Sequence, residues 1–157
     1  MCYFYKLAAA IAVAVGAAHP AAMSHLNLNF SEDKVALSLN VQELTLREIT
    51  SFKLDTNGDG NISQIEFEDG WAQVDALLRS SLWFEVNGEL VYADFTPSEY
   101  LGHEGEITNI VLDAEFSIEN PNDDFVVHSE LFLIEGNPKH KTFISASGFG
   151  AENLHYV

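Results

Sequence analysis

The chain has 157 residues, with 24 Asp and Glu against 7 Lys and Arg, for a formal net charge of −17. That length suits one domain with its own core rather than two. The charge disfavours nucleic acid and anionic lipid as partners and draws cations towards the molecule.

Residues 1–24, MCYFYKLAAAIAVAVGAAHPAAMS, read as a secretory signal: one early positive charge, Lys6, then an apolar run of 12 residues from Leu7 to Ala18, then small residues. The run is too short to span a bilayer. Cleavage after Ser24 satisfies the small-x-small rule with Ala22, and cuts after Ala18 or Ala22 are alternatives. The expectation is a periplasmic or secreted protein whose mature chain, 25–157, is a single domain with no transmembrane segment. Six cations against 24 acids then give −18. The only cysteine, Cys2, lies in the signal without a lipobox before it. Without disulfides, stability in an oxidising compartment must come from packing or a bound ion.

HLNLNF (25–30) and KVALSLNV (34–41) alternate apolar and polar residues, which predicts a hairpin with one buried face. A helical pattern follows, opened by Thr45 with Glu48 three residues on, a capping-box spacing before Leu46, Ile49 and Phe52. A second capping box, Ser63 with Glu66, opens a helix that sets Phe67, Trp71, Val74, Leu77 and Leu78 on one face, weakened at Gly70. Strands return with LWFEV (82–86) and ELVYADF (89–95) around Asn87-Gly88, a strong hairpin signal. A longer strand places Thr108, Ile110, Leu112, Ala114, Phe116 and Ile118 on one face. Pro121 ends it before DFVVHSELFLI (124–134) and KTFISAS (141–147). The tail shows no pattern. The predicted fold is mainly β: an antiparallel β-sandwich of about seven strands, with a helix-loop-helix insertion at 43–80 between the second and third.

Between the two helical patterns lies DTNGDGNISQIE, 55–66. It matches D-x-[DN]-x-[DN]-G-x5-E, the calcium loop of the EF-hand, at every fixed position. Asp55, Asn57 and Asp59 would offer side-chain oxygens, Asn61 its carbonyl and Ser63 a water or hydroxyl contact. Glu66 would close the sphere with two oxygens, and Gly60 would take the sharp turn. Three carboxylates in one turn repel one another unless a cation sits among them. Seven oxygens with one bidentate Glu suit Ca2+ better than Mg2+. Such loops usually come in pairs joined through position 8. Here Ile62 has no second hand, so it must meet another chain or dock on its own domain.

His25, His103, His128, His140 and His155 show no ligand spacing among themselves. Transition-metal candidates are His25, as the first residue after a cut at Ser24, and His128, within its strand. No nucleophile arrangement, carboxylate pair, phosphate loop or nucleotide fingerprint points to an enzyme. Trp71, Trp83, Phe84 and Tyr92 read as core.

The order SHLNLNF, VALSLNVQEL, the loop, WFEVNGE and HSELFLIEGNPKHKTFIS resembles the extracytoplasmic domain of HupE/UreJ-type bacterial membrane proteins, over about residues 25–147. Members of that family continue into a multi-helix membrane part associated with nickel uptake, which has no counterpart here, so the resemblance does not imply transport. It implies an exported calcium-loop domain that meets a membrane or envelope protein. Nickel delivery through His25 and His128 is the alternative.

Overall fold

The computed structural model describes residues 22–103, 106–120, 122–133 and 136–156. The apolar run of the expected signal, Pro121, and Ile134 of the expected 124–134 strand lie outside them. The elements in chain order are β1 (Met23–Phe30), β2 (Lys34–Gln42), α1 (Glu43–Arg47), α2 (Gln64–Asp69), α3 (Trp71–Ser81) and β3 (Leu82–Val86). Then follow β4 (Glu89–Val91), β5 (Thr96–His103), β6 (Glu106–Ser117), β7 (Phe125–Ser129), β8 (Lys141–Gly148) and β9 (Leu154–Tyr156). The protein is mainly β, and the three α-helices of the described residues stand between β2 and β3, with a 3-10 turn, Ala151–Asn153, between β8 and β9.

The strands form a five-stranded sheet, ordered β5-β6-β2-β1-β8, and a four-stranded sheet, ordered β4-β3-β7-β9. β1 and β2 pair antiparallel with Leu26 opposite Leu39 and Leu28 opposite Leu37, as their alternation requires. The expectation of an all-antiparallel set is corrected, because β8 runs parallel to β1 and β9 parallel to β7. Period-two alternation assigns faces but carries no information on strand direction, which depends on where the chain crosses between sheets. β1 also begins earlier than its alternation suggests. Ala22 and Ser24 are fully buried, the Ala22 carbonyl accepts from the Lys141 amide, and Ser24 Oγ lies 2.9 Å from His140 Nε2 and 3.1 Å from Thr142 Oγ1.

The strand count is also higher than expected. TPSEYLGH forms β5 without any alternation, because it is an edge strand with register shifts at Pro97/Glu99 and Leu101/Gly102. The second shift turns Thr108 outward and buries Ile107. A Cβ on Gly102 would lie 1.8 Å from the Glu106 carbonyl, so only glycine fits there. ELVYADF is strand only to Val91, and Tyr92 is half exposed. The stretch 124–134 is strand only to Ser129.

Rings from both sheets meet in one core. Phe125 of β7 stacks on Phe116 of β6 at 5.7 Å and meets Phe30 of β1 edge-on at 5.2 Å, while Phe84 of β3 touches both Phe116 and Phe125. The helices extend this core with Leu46, Phe67, Val74 and Leu78, all buried.

Two helix expectations change. α1 starts at Glu43, directly after β2, so Thr45 lies inside the helix rather than capping it, and its buried hydroxyl has no partner among the described residues. The helix after the loop breaks at Gly70, where a Cβ would come within 2.2 Å of Leu54 Cδ2. Leu54, 3 % exposed, packs into the notch, so the glycine exchanges helix continuity for close packing.

Candidate metal centre

The loop is shaped by its own side chains. Asp55 Oδ1 accepts from the Gly58 amide at 2.6 Å and Oδ2 from the Gly60 amide at 3.2 Å. Asn57 Oδ1 accepts from the Asp59 amide at 2.7 Å, and Asp59 Oδ1 from the Asn61 amide at 2.9 Å. Asn57 and Asp59 thus form successive Asx turns inside the wider reach of Asp55, and glycine supplies the two left-handed residues of this path: Gly58 at φ 76° and Gly60 at φ 93°. Nothing lies within 4 Å of a Cβ built on Gly60, so its requirement is conformational rather than steric.

The loop ends in a complete capping box. Ser63 Oγ accepts from the Glu66 amide at 3.3 Å, and Glu66 Oε2 accepts from the Ser63 amide at 3.0 Å. The other oxygen, Oε1, folds back to the start of the loop, accepting from the amides of Thr56 (2.9 Å) and Asn57 (3.1 Å) and from the Thr56 hydroxyl (2.9 Å). Amide donation from Ser63, then Asn57, together with the Ser63 and Thr56 hydroxyls, holds the Glu66 carboxyl down at about 2. Glu66 thus joins both ends of the loop.

Position 8 of the loop, Ile62, is fully buried. Its amide donates to Glu43 Oε1 at 3.1 Å, and the same oxygen lies 2.8 Å from Arg47 Nε one turn along α1. Arg47 Nη1 in turn donates to the Gly60 carbonyl. Glu43 on a neighbouring helix therefore gives the position-8 amide an acceptor within its own domain, and Arg47 ties the same helix to the turn at Gly60. Burial is the larger influence on the Glu43 carboxyl and raises it, against the opposing pull of Arg47. Sequence reading missed Glu43, Arg47 and Thr56. The i, i+4 Glu–Arg spacing was visible, but nothing local indicates that the pair reaches a residue 19 positions on.

All six expected ligand residues, Asp55, Asn57, Asp59, Asn61, Ser63 and Glu66, sit on this one turn and its helix start. Among the described residues no three His, Cys, Asp or Glu side chains are gathered as a ready-made metal cage. The acidic oxygens of the loop are engaged with its amides instead. The donor set is all oxygen, and its backbone turns at the glycine that a hard-cation loop requires, so the residues fit Ca2+. Asp55, Asn57, Asp59, Asn61 and Ser63 would hold the ion, with Glu66 closing over it.

The histidines are not brought together. His25 on β1 stacks on Phe143 of β8 at 5.2 Å. His128, in the other sheet, stacks on Trp83 at 5.2 Å with its Nε2 3.0 Å from Glu85 Oε1. Among the described residues no helix is long and apolar enough to cross a membrane. No protein-family model matches the chain, and no curated protein shows significant sequence similarity to it.

Proposed function

We propose that this is an exported calcium-binding protein, a β-sandwich carrying one EF-hand-like loop as a structural clip that also presents a surface to a partner. The observation that carries the reading is Glu66: the residue that closes an EF-hand shell sits on a complete capping box and already spans the loop from Ser63 to Thr56. Bound calcium would exchange those amide contacts for the ion and neutralise the loop's carboxylates. The pair Glu43–Arg47 and the buried Ile62 support a lone hand that docks on its own domain.

Partner presentation is supported by Ile65, which is 71 % exposed beside Glu66 on α2. A large apolar side chain next to an ion-dependent turn is a contact point whose position the ion would fix. The resemblance to HupE/UreJ-type extracytoplasmic domains makes a membrane or envelope protein the proposed partner. Within this reading the signal is cut upstream of Ala22, as after Ala18. A cut after Ser24 would remove residues that pair with β8 and bond to His140. His25 would then lack the adjacent terminal amine that made it a chelate candidate.

Calorimetric titration of the mature protein tests the proposal. One calcium per chain, magnesium bound far more weakly, and no heat from a Glu66→Gln variant are expected. Calcium binding that survives Glu66→Gln would refute the loop as the site. Nickel binding at one equivalent would favour the alternative, an accessory protein for nickel.

A further inference from the structure

An edge strand carries unpaired N–H and C=O groups, and proteins guard such edges with prolines, bulges, charges, short length or a covering helix. Three of the four sheet edges here are guarded. β5 contains Pro97 and Glu99, has two register shifts, and lies under α2 through Tyr100, which meets Phe67 at 5.9 Å and donates to Glu68 Oε1 at 3.3 Å. β4 and β9 are three residues each.

β8 is unguarded. Its eight residues pair with β1 without a break from Met23↔Lys141 to Phe30↔Gly148, and it contains neither proline nor acid. The amides of Lys141 and Phe149 both donate towards the β1 side, to Ala22 and Phe30. In an unbroken register the amides of Thr142, Ile144 and Ala146 therefore point to the free edge. Around it lie four exposed apolar side chains, Leu133 (40 %), Phe143 (49 %), Phe149 (70 %) and Tyr156 (74 %). Beneath it is a gap of about 210 Å³ lined from both sheets, including Ile144 and Leu131, where Ser129 Oγ and His140 Nδ1 have no hydrogen-bond partner among the described residues.

Charge selects the occupant. Residues 136–151 contain no Asp or Glu, in a chain with 24. Two molecules this acidic repel across most of their surfaces, but not across this one. We propose that β8 is a self-association edge, where a second copy of the chain adds its own β8 antiparallel to the first. Antiparallel pairing keeps the Lys139 and Lys141 ends of the two copies apart and brings each towards the other's Glu152, just beyond β8. It completes the ladder of outward amides and covers Phe143 and the gap at Ile144.

Sedimentation velocity of the purified mature protein, over a wide concentration range and at low and high salt, tests this. A monomer–dimer equilibrium that tightens with salt is expected, because screening removes the repulsion between acidic bodies. Phe143→Glu and Ala146→Pro should each weaken the dimer by roughly tenfold or more at near-wild-type thermal midpoint, since the proline removes an outward amide and spares the β1 ladder. Thr96→Glu on β5 should leave the dimer intact. A monomer at every concentration, a dimer untouched by both β8 variants, or equal loss in Thr96→Glu would overturn the proposal; the first result would leave β8 to a strand from a different protein.

Discussion

His140 and Glu43 show how much of this fold rests on single side chains. Burial pushes the His140 imidazole down to about 4, with Nε2 spent on Ser24 and one ring edge against Phe132. A histidine whose folded value lies below its unfolded one, about 6.5, contributes stability that is fully present above pH 6.5 and is lost as pH falls towards 4. The thermal midpoint should therefore drop between pH 7 and pH 5 in the wild type, measured with calcium chelated, and stay flatter in His140→Gln. The Glu66 contribution runs lower, present above its unfolded range and lost as pH falls towards 2, so the two windows separate. Glu43→Leu leaves the buried Ile62 amide without its acceptor and takes one of Arg47's two partners, and chemical denaturation should show a loss of about 1–3 kcal/mol even without calcium. Glu66→Gln should cost the calcium-free protein this carboxylate's bonds to Ser63, Thr56 and Asn57 and, in addition, remove the response to calcium. At this scale the left-handed turn at Gly60 and the Ser63–Glu66 capping box were legible, because each is a stereochemical demand that sequence spacing records. Glu43 was not, since its role appears only when α1 is set beside Ile62.

The elements divide by how their periodicity was produced. β1, β2 and β3 alternate because one face is buried along their length, so their positions were readable. β5 and β9 were missed because an edge strand with bulges, or one of three residues, buries too little to leave a pattern. Strand direction was readable for the two hairpins, β1–β2 and β3–β4, but not for the parallel pairs, which join residues more than 25 positions apart. The break between α2 and α3 belongs here too. Gly70→Ala favours a continuous helix by propensity but drives a methyl into Leu54, so it should destabilise by about 1–3 kcal/mol. Equilibrium unfolding should show that cost shrinking in a Leu54→Ala background, since the two side chains compete for one space. Full additivity of the two changes would mean that the notch plays no part.

At the scale of the whole molecule, an acidic chain with no disulfide in its described residues holds a helical segment between β2 and β3 through one loop. Its aromatic core joins both sheets, but the loop joins α1 to α2 through hydrogen bonds to carboxylates that repel one another. An ion there would couple the helical segment to the sheets and relieve that repulsion. With free calcium at about one hundred times its dissociation constant, the gain is about 2.7 kcal/mol, or roughly 5–10 °C in midpoint for a chain of this size. The most direct measurement is the thermal midpoint of the mature protein with calcium, magnesium or nickel, beside Glu66→Gln. The account predicts a calcium-specific rise of that order that vanishes in the variant. An unchanged midpoint with calcium, or a rise with nickel in its place, would contradict it.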